Sequence, residues 1–580
     1  MESARARIET QRFDLHLNQP QGSPRQGNNA KTLGAYYTDA QIADFLARWA
    51  ICSPEDAVMD PSFGGGVFLR AACNRLLQLG GIPKSRISGV EIDGKVHRDV
   101  SDALVGEYSL NRKNLVCADF FALDLSSTRP VDAIIGNPPF IRYQRFNGAS
   151  RKSALARSLA AGVRLPELCS SWAPFVIHSI AMLNEGGRLA MVLPVELAHA
   201  KYARPVLEQV RQSFKAVTFL TFRKKLFPDL SEGTLLLLAE GKGCGPAKFS
   251  IRDYPHASSL SELDESTGLP RGRVQPLPAE SIALGKSRLI EYLIPRKARQ
   301  LYQHLRDGAN VQKLASFASV GIGYVTGAND FFHISPEVVQ SRRIAHEFLK
   351  PAVRRGRAFG GLRFTEADWK HATSNGDGGY LLHIPKQRPL PESIREYIRW
   401  GESQGINEAY KCRVRSPWFC VPHVHKADAF LTYMSGATPR LVANSAGAVA
   451  PNTLHVVRFD PLFSLSCNAV TVLWQTSLTR LSVELQGHAL GGGMLKLEPT
   501  EAGKVLIALP NEIGSNSLRD LELELDELQR LGNGSEVPQL VDRAILQNLL
   551  GLSKSDCKLL ESSADVLRGR RYGELNRGIT

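Results

Sequence analysis

Between residue 31 and about residue 240 the sequence alternates short apolar runs with stretches of helical spacing, and this alternation limits the folds open to it more than any other feature. Residues 57–60, 87–92, 115–119, 131–136, 188–193 and 234–238 read as strands. Residues 41–50, 67–79 and 172–183 carry apolar side chains at helical intervals between them. Strands separated by helices predict βαβ units and a largely parallel, doubly wound α/β sheet. The pattern stops at a glycine-rich break, 241–246. Beyond an irregular stretch the chain gives one helix, 297–306, and then short strand-like pieces with glycine turns. Residues 518–531 are acidic and helical, and 537–570 are helical again. The expected division is a mobile basic tail (1–30), an α/β domain (31–245), a mixed, β-rich domain (246–515) and a helical C-terminal segment (516–580).

Charge narrows the partners. The 580 residues hold 71 Lys and Arg against 57 Asp and Glu, a formal net charge of +14. Such a surplus suits a polyanion, either nucleic acid or an anionic membrane face. No window approaches the ~18 consecutive apolar residues of a spanning helix, and the N-terminus has no apolar signal region, so nucleic acid is favoured over membrane. Nine cysteines without a C-x-x-C pair point to a reducing, cytoplasmic setting and to neither a metal cluster nor a disulfide framework.

Three predicted strands end in an acid. Asp60 opens the loop Asp60-Pro61-Ser62-Phe63-Gly64-Gly65-Gly66, whose glycines permit a tight turn and close approach of a ligand to a helix N-terminus. Taken alone, that loop reads equally well as a structural turn. Glu91 ends the second strand, where a carboxylate can bind two ribose hydroxyls. Asp119 ends the third and is followed by Phe120, an acceptor for an adenine amino group beside a ring that can cover it. Ligands of open α/β sheets bind at this carboxyl edge.

The fourth strand runs into Asn137-Pro138-Pro139-Phe140. Two prolines remove two N–H donors and hold Asn137 out of the helical region, which makes a rigid, extended corner. The Asn137 side-chain oxygen and the Pro138 carbonyl can then act as paired acceptors for an amino group, and Phe140 offers a face to a planar ring. The competing reading of these four residues by themselves is a Pro-Pro turn with a core phenylalanine.

The order Asp60-Pro-x-x-Gly-x-Gly, Glu91, Asp119-Phe120 and Asn137-Pro138-Pro139-Phe140 resembles the gamma class of DNA adenine-N6 methyltransferases, TaqI-like enzymes of restriction–modification systems. Gly34-Ala35-Tyr36-Tyr37-Thr38 is similar to the segment that closes over the methionine end of S-adenosylmethionine in that family. Residues 185–194 resemble the strand after the catalytic loop. Leu226-Phe227-Pro228-Asp229 resembles the motif whose aromatic stacks on the extruded base. The resemblance covers about 31–240. It implies a Rossmann-like S-adenosyl-L-methionine-dependent methyltransferase domain, followed by a DNA target-recognition domain in which 321–330 and 491–499 resemble family segments less specifically.

The resemblance also implies roles. Asn137, Pro138, Pro139 and Phe140 would be catalytic, and Phe140 and Phe227 would stack on the target base. Tyr37, Thr38, Asp60, Pro61, Gly64, Gly66, Glu91, Ile92, Asp119, Phe120 and Asn137 would hold the cofactor. No metal would be needed. The partner would be double-stranded DNA, with a separate cognate restriction endonuclease. Ser62-Phe63 departs from the small pair usual in the family's glycine loop, which leaves open whether Phe63 crowds the cofactor or packs behind the loop.

Basic residues suit this reading. Arg142 and Arg145 follow the corner in a run without acids, and Arg354, Arg355 and Arg357 form a second group. Lys411, Arg413 and Arg415 form a third, ahead of Trp418. Such groups neutralise phosphates and position a duplex. Two alternatives remain at the level of the sequence. The same corner serves enzymes that methylate RNA or a protein glutamine, although some 340 residues after Glu240 favour a DNA-recognition domain. A non-catalytic DNA-binding subunit is the other, and the intact Glu91, Asp119 and corner argue against it. No nuclease domain is expected ahead of the cofactor motifs.

Overall fold

The computed structural model describes residues 39–125, 128–227, 233–264, 267–510 and 515–573. Its largest element is a nine-stranded sheet: β1 (Val58–Asp60), β2 (Ile87–Glu91), β3 (Leu115–Cys117), β4 (Val131–Gly136), β5 (Leu183–Pro194), β6 (Ala216–Phe222), β7 (Thr234–Glu240), β8 (Lys248–Tyr254) and β9 (Gln275–Leu277). The spatial order is β3-β2-β1-β4-β5-β7-β6-β8-β9. The first five are mutually parallel, β7 runs antiparallel between β5 and β6, and β9 runs antiparallel to β8.

Helices cover both faces of this sheet, and the strands are apolar for that reason. Leu189, Met191 and Leu193 of β5 enter the core that lies under Trp172–Ala181 and Arg204–Ser213, whereas Ala190 and Val192 enter the core under Ala40–Ala50 and Val67–Gln78. Residues alternate between faces with period two, and both faces are buried, so the sequence shows an unbroken apolar run. The helices of this lobe are labelled α1 (Ala40–Ala50), α2 (Val67–Gln78), α3 (Gly94–Tyr108), α4 (Gly148–Ala160), α5 (Trp172–Ala181) and α6 (Arg204–Ser213).

Chain direction fixes where a ligand can enter. From β1 the chain steps outward to β2 and β3, then returns across β1 to lay down β4 on its other side. The crossovers therefore diverge at the carboxyl ends of β1 and β4, opening a crevice there.

The expected boundary at 245 does not match the sheet. β8 pairs with β6 over seven residues and β9 pairs with β8, so the first lobe's sheet runs on to Leu277. The stretch 241–246 is a bonded turn inside the lobe. Gly241 and Gly243 have φ of +71° and +86°, and the Gly243 and Ala247 N–H groups donate to the Ser213 and Arg211 carbonyls. Glycine there answers a local need for positive φ and does not mark a linker.

The second lobe holds a five-stranded sheet in the order Ala318–Ile322, Leu454–Phe459, Ala429–Thr432, Leu441–Asn444, Arg363–Phe364, together with smaller sheets and helices. The expected C-terminal segment is not separate from it. Leu518, Leu525, Val541, Leu560 and Leu567 share one core with Val470, Trp474 and Leu481. Asp526 accepts from the Leu362 and Arg363 N–H groups at 2.7 and 3.2 Å. The last helix, Lys554–Tyr572, is fixed by Arg571, whose guanidinium donates to Glu484 at 2.7 and 2.9 Å with both side chains buried.

That pair gives a stability prediction. Arg571→Met leaves the Glu484 carboxylate buried without its partner and should destabilise the protein by ~3–5 kcal/mol, whereas adding Glu484→Leu should recover most of the loss. Urea unfolding of both variants checks the contrast.

Candidate active site

The crevice at the sheet edge is built around Asp60, the last residue of β1. Its neighbour strand β4 ends at Gly136, and the absence of a side chain there is required: a Cβ would lie 2.9 Å from Asp60 Oδ1 and 3.3 Å from Pro61 Cδ. Asp60 is fully buried. Its Oδ1 accepts from the Ser62 N–H at 3.0 Å, and its Oδ2 has no hydrogen-bond partner among the described residues. Burial pushes its carboxyl up to about 8; the Glu91 charge adds to the rise and the Ser62 N–H opposes it. A buried carboxyl with one unanswered oxygen fits a ligand that brings a donor or a positive charge.

The glycine loop after Asp60 is shaped by positive φ at Gly64 (+46°) and Gly66 (+75°). Glu91, at the end of β2, ties it to the sheet: the Gly64 N–H donates to Oε2 at 2.9 Å and the Asp93 N–H to Oε1 at 2.8 Å. Each oxygen keeps a second lone pair for a ligand hydroxyl. Phe63 packs behind the loop. It is buried, its N–H donates to the Val90 carbonyl at 3.0 Å, and its ring lies under Gly89, where a Cβ would come within 2.8 Å. Ile92, beside Glu91, is 53% exposed at the sheet edge, an apolar side chain open to a planar ligand.

Asp119 caps the short turn after β3 by accepting from the Phe121 N–H at 3.0 Å. Phe120 differs from expectation. It is 2% exposed and stacks on Phe175 with centroids 5.1 Å apart, with His178 against its edge at 4.8 Å. Its ring is taken up by the core, where Phe175 and His178 of α5 pack against it. Tyr37 and Thr38, like the tail 1–30, lie outside the described residues.

At the end of β4 the corner leaves the sheet without regular structure. Pro138 is buried, and Asn137, Pro139 and Phe140 are half-buried. The structure thus brings Asp60, Glu91 and Asn137 to one edge, since β1 lies between β2 and β4. Phe140 packs against the cores of both sheet faces, and Phe227, 8% exposed, is part of one of them. Sequence reading misses Ser171. The Ile141 N–H donates to Ser171 Oγ at 2.9 Å, and that hydroxyl donates in turn to the Pro139 carbonyl.

Beside the corner a cleft of about 880 Å³ separates the two lobes. Its basic lining includes Arg142 just after the corner, Lys201, Lys224 and Lys225 from the first lobe, Lys496 from the second, and Arg570 from the last helix; Glu196, Glu498 and Glu501 are its acids. The sequence alone points to none of these basic residues except Arg142, because single cations far apart in the chain give no local signal. Arg145 is exposed nearby. The other predicted groups do not line this cleft. Arg355 and Arg357 pair with the buried Asp377 at 3.5 and 2.6 Å beside Arg354, and Arg415 is half-buried with its guanidinium donating to the Val325 carbonyl. Lys411 and Arg413 are exposed. Polar contacts span the lobes at the cleft: His199 Nδ1 to His488 Nδ1 at 2.8 Å, Arg288 to the His199 and Leu485 carbonyls, and Lys201 to Glu501 at 3.3 Å.

Comparison with known proteins gives two family matches. Residues 26–214 match the model described as N-6 DNA Methylase, and residues 286–546 match the C-terminal domain of the type II methyltransferase M.Eco57I. Among relatives, the type II methyltransferase M.AccI of Acinetobacter calcoaceticus is 20% identical over 89% of this chain and 93% of its own. M.XamI of Xanthomonas campestris pv. amaranthicola is 21% identical over 83% and 86%. The type IIL restriction–modification enzyme MmeI, solved in complex with DNA, shares the fold at a TM-score of 0.54 and 12% identity, over 94% of this chain and 80% of its own.

The buried acid has a pH signature. The folded pKa of Asp60 lies near 8 and the unfolded value near 3.8, so the folded protein holds a proton that the unfolded chain releases. Stability should therefore fall as pH rises between those values, by up to ~1.4 kcal/mol for each pH unit. Asp60→Asn removes that slope. Urea unfolding from pH 5 to pH 9 should show the variant gaining on the wild type as pH rises, and a gap that does not change with pH would contradict the assignment.

Proposed function

We propose how this chain, a gamma-class N6-adenine DNA methyltransferase of the type II restriction–modification kind, carries out its reaction: the corner at 137–140 holds the target amino group while the edge formed by Asp60 and Glu91 holds S-adenosyl-L-methionine beside it. The observation that carries this is adjacency. β1 and β4 are paired neighbours, so the acid that ends one and the acceptor corner that follows the other share one crevice.

The cofactor supplies an electrophilic methyl group on a sulfonium. The residues present fit it. Asp60 would offer Oδ2 to the cofactor's ammonium end, whose positive charge would draw off the carboxyl proton, and Pro61, Gly64 and Gly66 leave room for close approach. Glu91 would take ribose hydroxyls, Ile92 would cover one face of the adenine, and Asp119 would accept from its amino group. We assign Tyr37 and Thr38 to closing over the methionine end.

The N6 lone pair of adenine is delocalised into the ring, which makes it a poor nucleophile. Asn137 Oδ1 and the Pro138 carbonyl accept the two amino hydrogens and favour a tetrahedral nitrogen, so the lone pair turns outward. The nitrogen takes the methyl group as that group's bond to the sulfonium sulfur breaks and a neutral thioether leaves, and the proton the nitrogen then sheds passes to solvent. Position, more than acid–base chemistry, supplies the rate.

The amino group is out of reach inside a duplex, so the base is extruded, at a cost of a few kcal/mol. Stacking on Phe140 and Phe227 returns ~1–3 kcal/mol per face. Phe227 is held in the core just ahead of residues 228–232, and its ring has to turn outward to serve. Duplex DNA lies in the cleft between the lobes. Arg142, Arg145, Lys224, Lys225 and Lys496 meet its phosphates there, and the exposed Lys411 and Arg413 add positive charge to the second lobe's surface. A separate endonuclease with the same recognition sequence completes the system, in the cytoplasm where the chromosome lies.

Methylation-aware sequencing of DNA from a host expressing this chain should show N6-methyladenine at one recognition sequence. Asn137→Ala should lower the transfer rate at least ~100-fold while equilibrium binding of the cofactor persists; retained turnover would remove Asn137 from the chemistry. Phe227→Ala should reduce the fluorescence rise of 2-aminopurine at the target position. An unchanged signal would place the second stacking face elsewhere.

A further inference from the structure

The corner has a mechanical problem. Pro138 and Pro139 lack N–H groups, so the backbone cannot anchor itself there by its own donors. The bonds that hold its downstream limb converge on one buried side chain, Ser171, which is 1% exposed. The Ile141 N–H donates to Ser171 Oγ at 2.9 Å, the Ser171 hydroxyl donates to the Pro139 carbonyl, and the Ser171 N–H donates to the Ile141 carbonyl at 3.0 Å. These three bonds bracket Phe140 on both sides.

Ser171 occupies the N-cap position of α5, where a serine normally turns its hydroxyl onto its own helix and contributes about 1 kcal/mol. Here it makes no such bond. A hydroxyl has one donor and two acceptor sites; this one directs its donor to the Pro139 carbonyl and accepts from Ile141. The flanking residues hold the helix start in place. Trp172 Nε1 donates to Tyr202 Oη at 2.9 Å and to Glu196 Oε2 at 3.3 Å, and Ser170 Oγ donates to the same Glu196 oxygen at 3.3 Å. Glu196 and Tyr202 follow β5, so the mount of the corner is the adjacent strand of the sheet.

We infer that Ser171 is a positioning residue of the transfer step: its hydroxyl, diverted from capping α5, sets the direction of the Pro138 carbonyl and of the Phe140 ring without touching substrate. The geometry is direct. Anchoring the Pro139 carbonyl fixes the peptide plane that follows Pro139, and the φ of Pro139 is already locked by its ring. Only one soft dihedral then separates that plane from the Pro138 carbonyl. Loss of the anchor frees that carbonyl and the bracketed Phe140 together, and a misplacement of ~1 Å can lower a rate about 100-fold. The inference rests on the reading that the corner holds the target amino group.

The test uses the full-length protein, saturating S-adenosylmethionine and a duplex carrying the recognition sequence, in single turnover. Ser171→Ala should lower the single-turnover rate by roughly 100-fold, with cofactor and duplex affinities within about twofold of the wild type. Ser171→Thr, which keeps the hydroxyl, should recover most of the rate. If the alanine variant fails to fold, Ser171→Cys keeps the volume with only a weak donor and should still be slow. An unchanged rate in a folded Ser171→Ala protein would overturn the proposal. So would a loss of rate matched by loss of cofactor binding, or a folded Ser171→Thr protein as slow as the alanine variant. Asn137→Ala is run in parallel: if it stays active, the reading of the corner fails; if it is inactive while Ser171→Ala is not, only the role of Ser171 fails.

Discussion

A carboxyl group buried between two strand ends governs the geometry of this protein's first lobe. Asp60 is shut away from water at the edge where β1 meets β4, with one oxygen held by Ser62 and the other without a partner among the described residues. Burying a carboxyl this way opposes folding unless something else over-determines the arrangement. The surroundings do so. Gly136 gives the carboxyl its space, Phe63 wedges under β2 from behind, and Glu91 fastens the glycine loop through Gly64. The site is thus pre-shaped by packing and backbone bonds, and the ligand arrives at a sheet edge whose polarity is already set.

Much of this is legible in the sequence, for identifiable reasons. Strands buried on both faces cannot hide as anything but apolar runs, so β1 to β5 and β7 can be placed to within a few residues, although β5 begins earlier than its apolar run suggests. The acids and the double proline are local signals at strand ends. Phe120 misleads because a ring after an acid looks the same whether it faces a ligand or the core; Phe175 and His178, more than fifty residues downstream, decide the matter. The arginines at 355 and 357 look free because Asp377 lies twenty residues away. Ser171 looks like a helix cap, since nothing local says that a hydroxyl turns toward a corner thirty residues earlier.

The lobes meet through polar contacts that are individually modest. The His199–His488 bond requires one ring to donate and the other to accept, and burial holds both rings below the usual range for histidine. Arg288 and Lys201 add bonds across the same boundary. Arg570 of the last helix reaches back to Asp253 on β8 at 2.5 Å, next to Arg571, which is locked to Glu484 in the second lobe. Two consecutive side chains thereby join both walls of the cleft, and the width of the cleft depends on a helix that the sequence places farthest from the corner.

The continuation of the sheet past residue 245 bears on how this protein can be divided. A cut at the glycine-rich turn would strip β8 and β9 from β6, leaving seven backbone residues of an apolar strand with open N–H and C=O groups. Such an edge pairs readily with other chains. It would also remove Asp253, the anchor of Arg570, and with it the hold of the last helix on the first lobe. A self-contained first lobe therefore has to extend through Leu277, and grafting a foreign second lobe would need its junction beyond that strand.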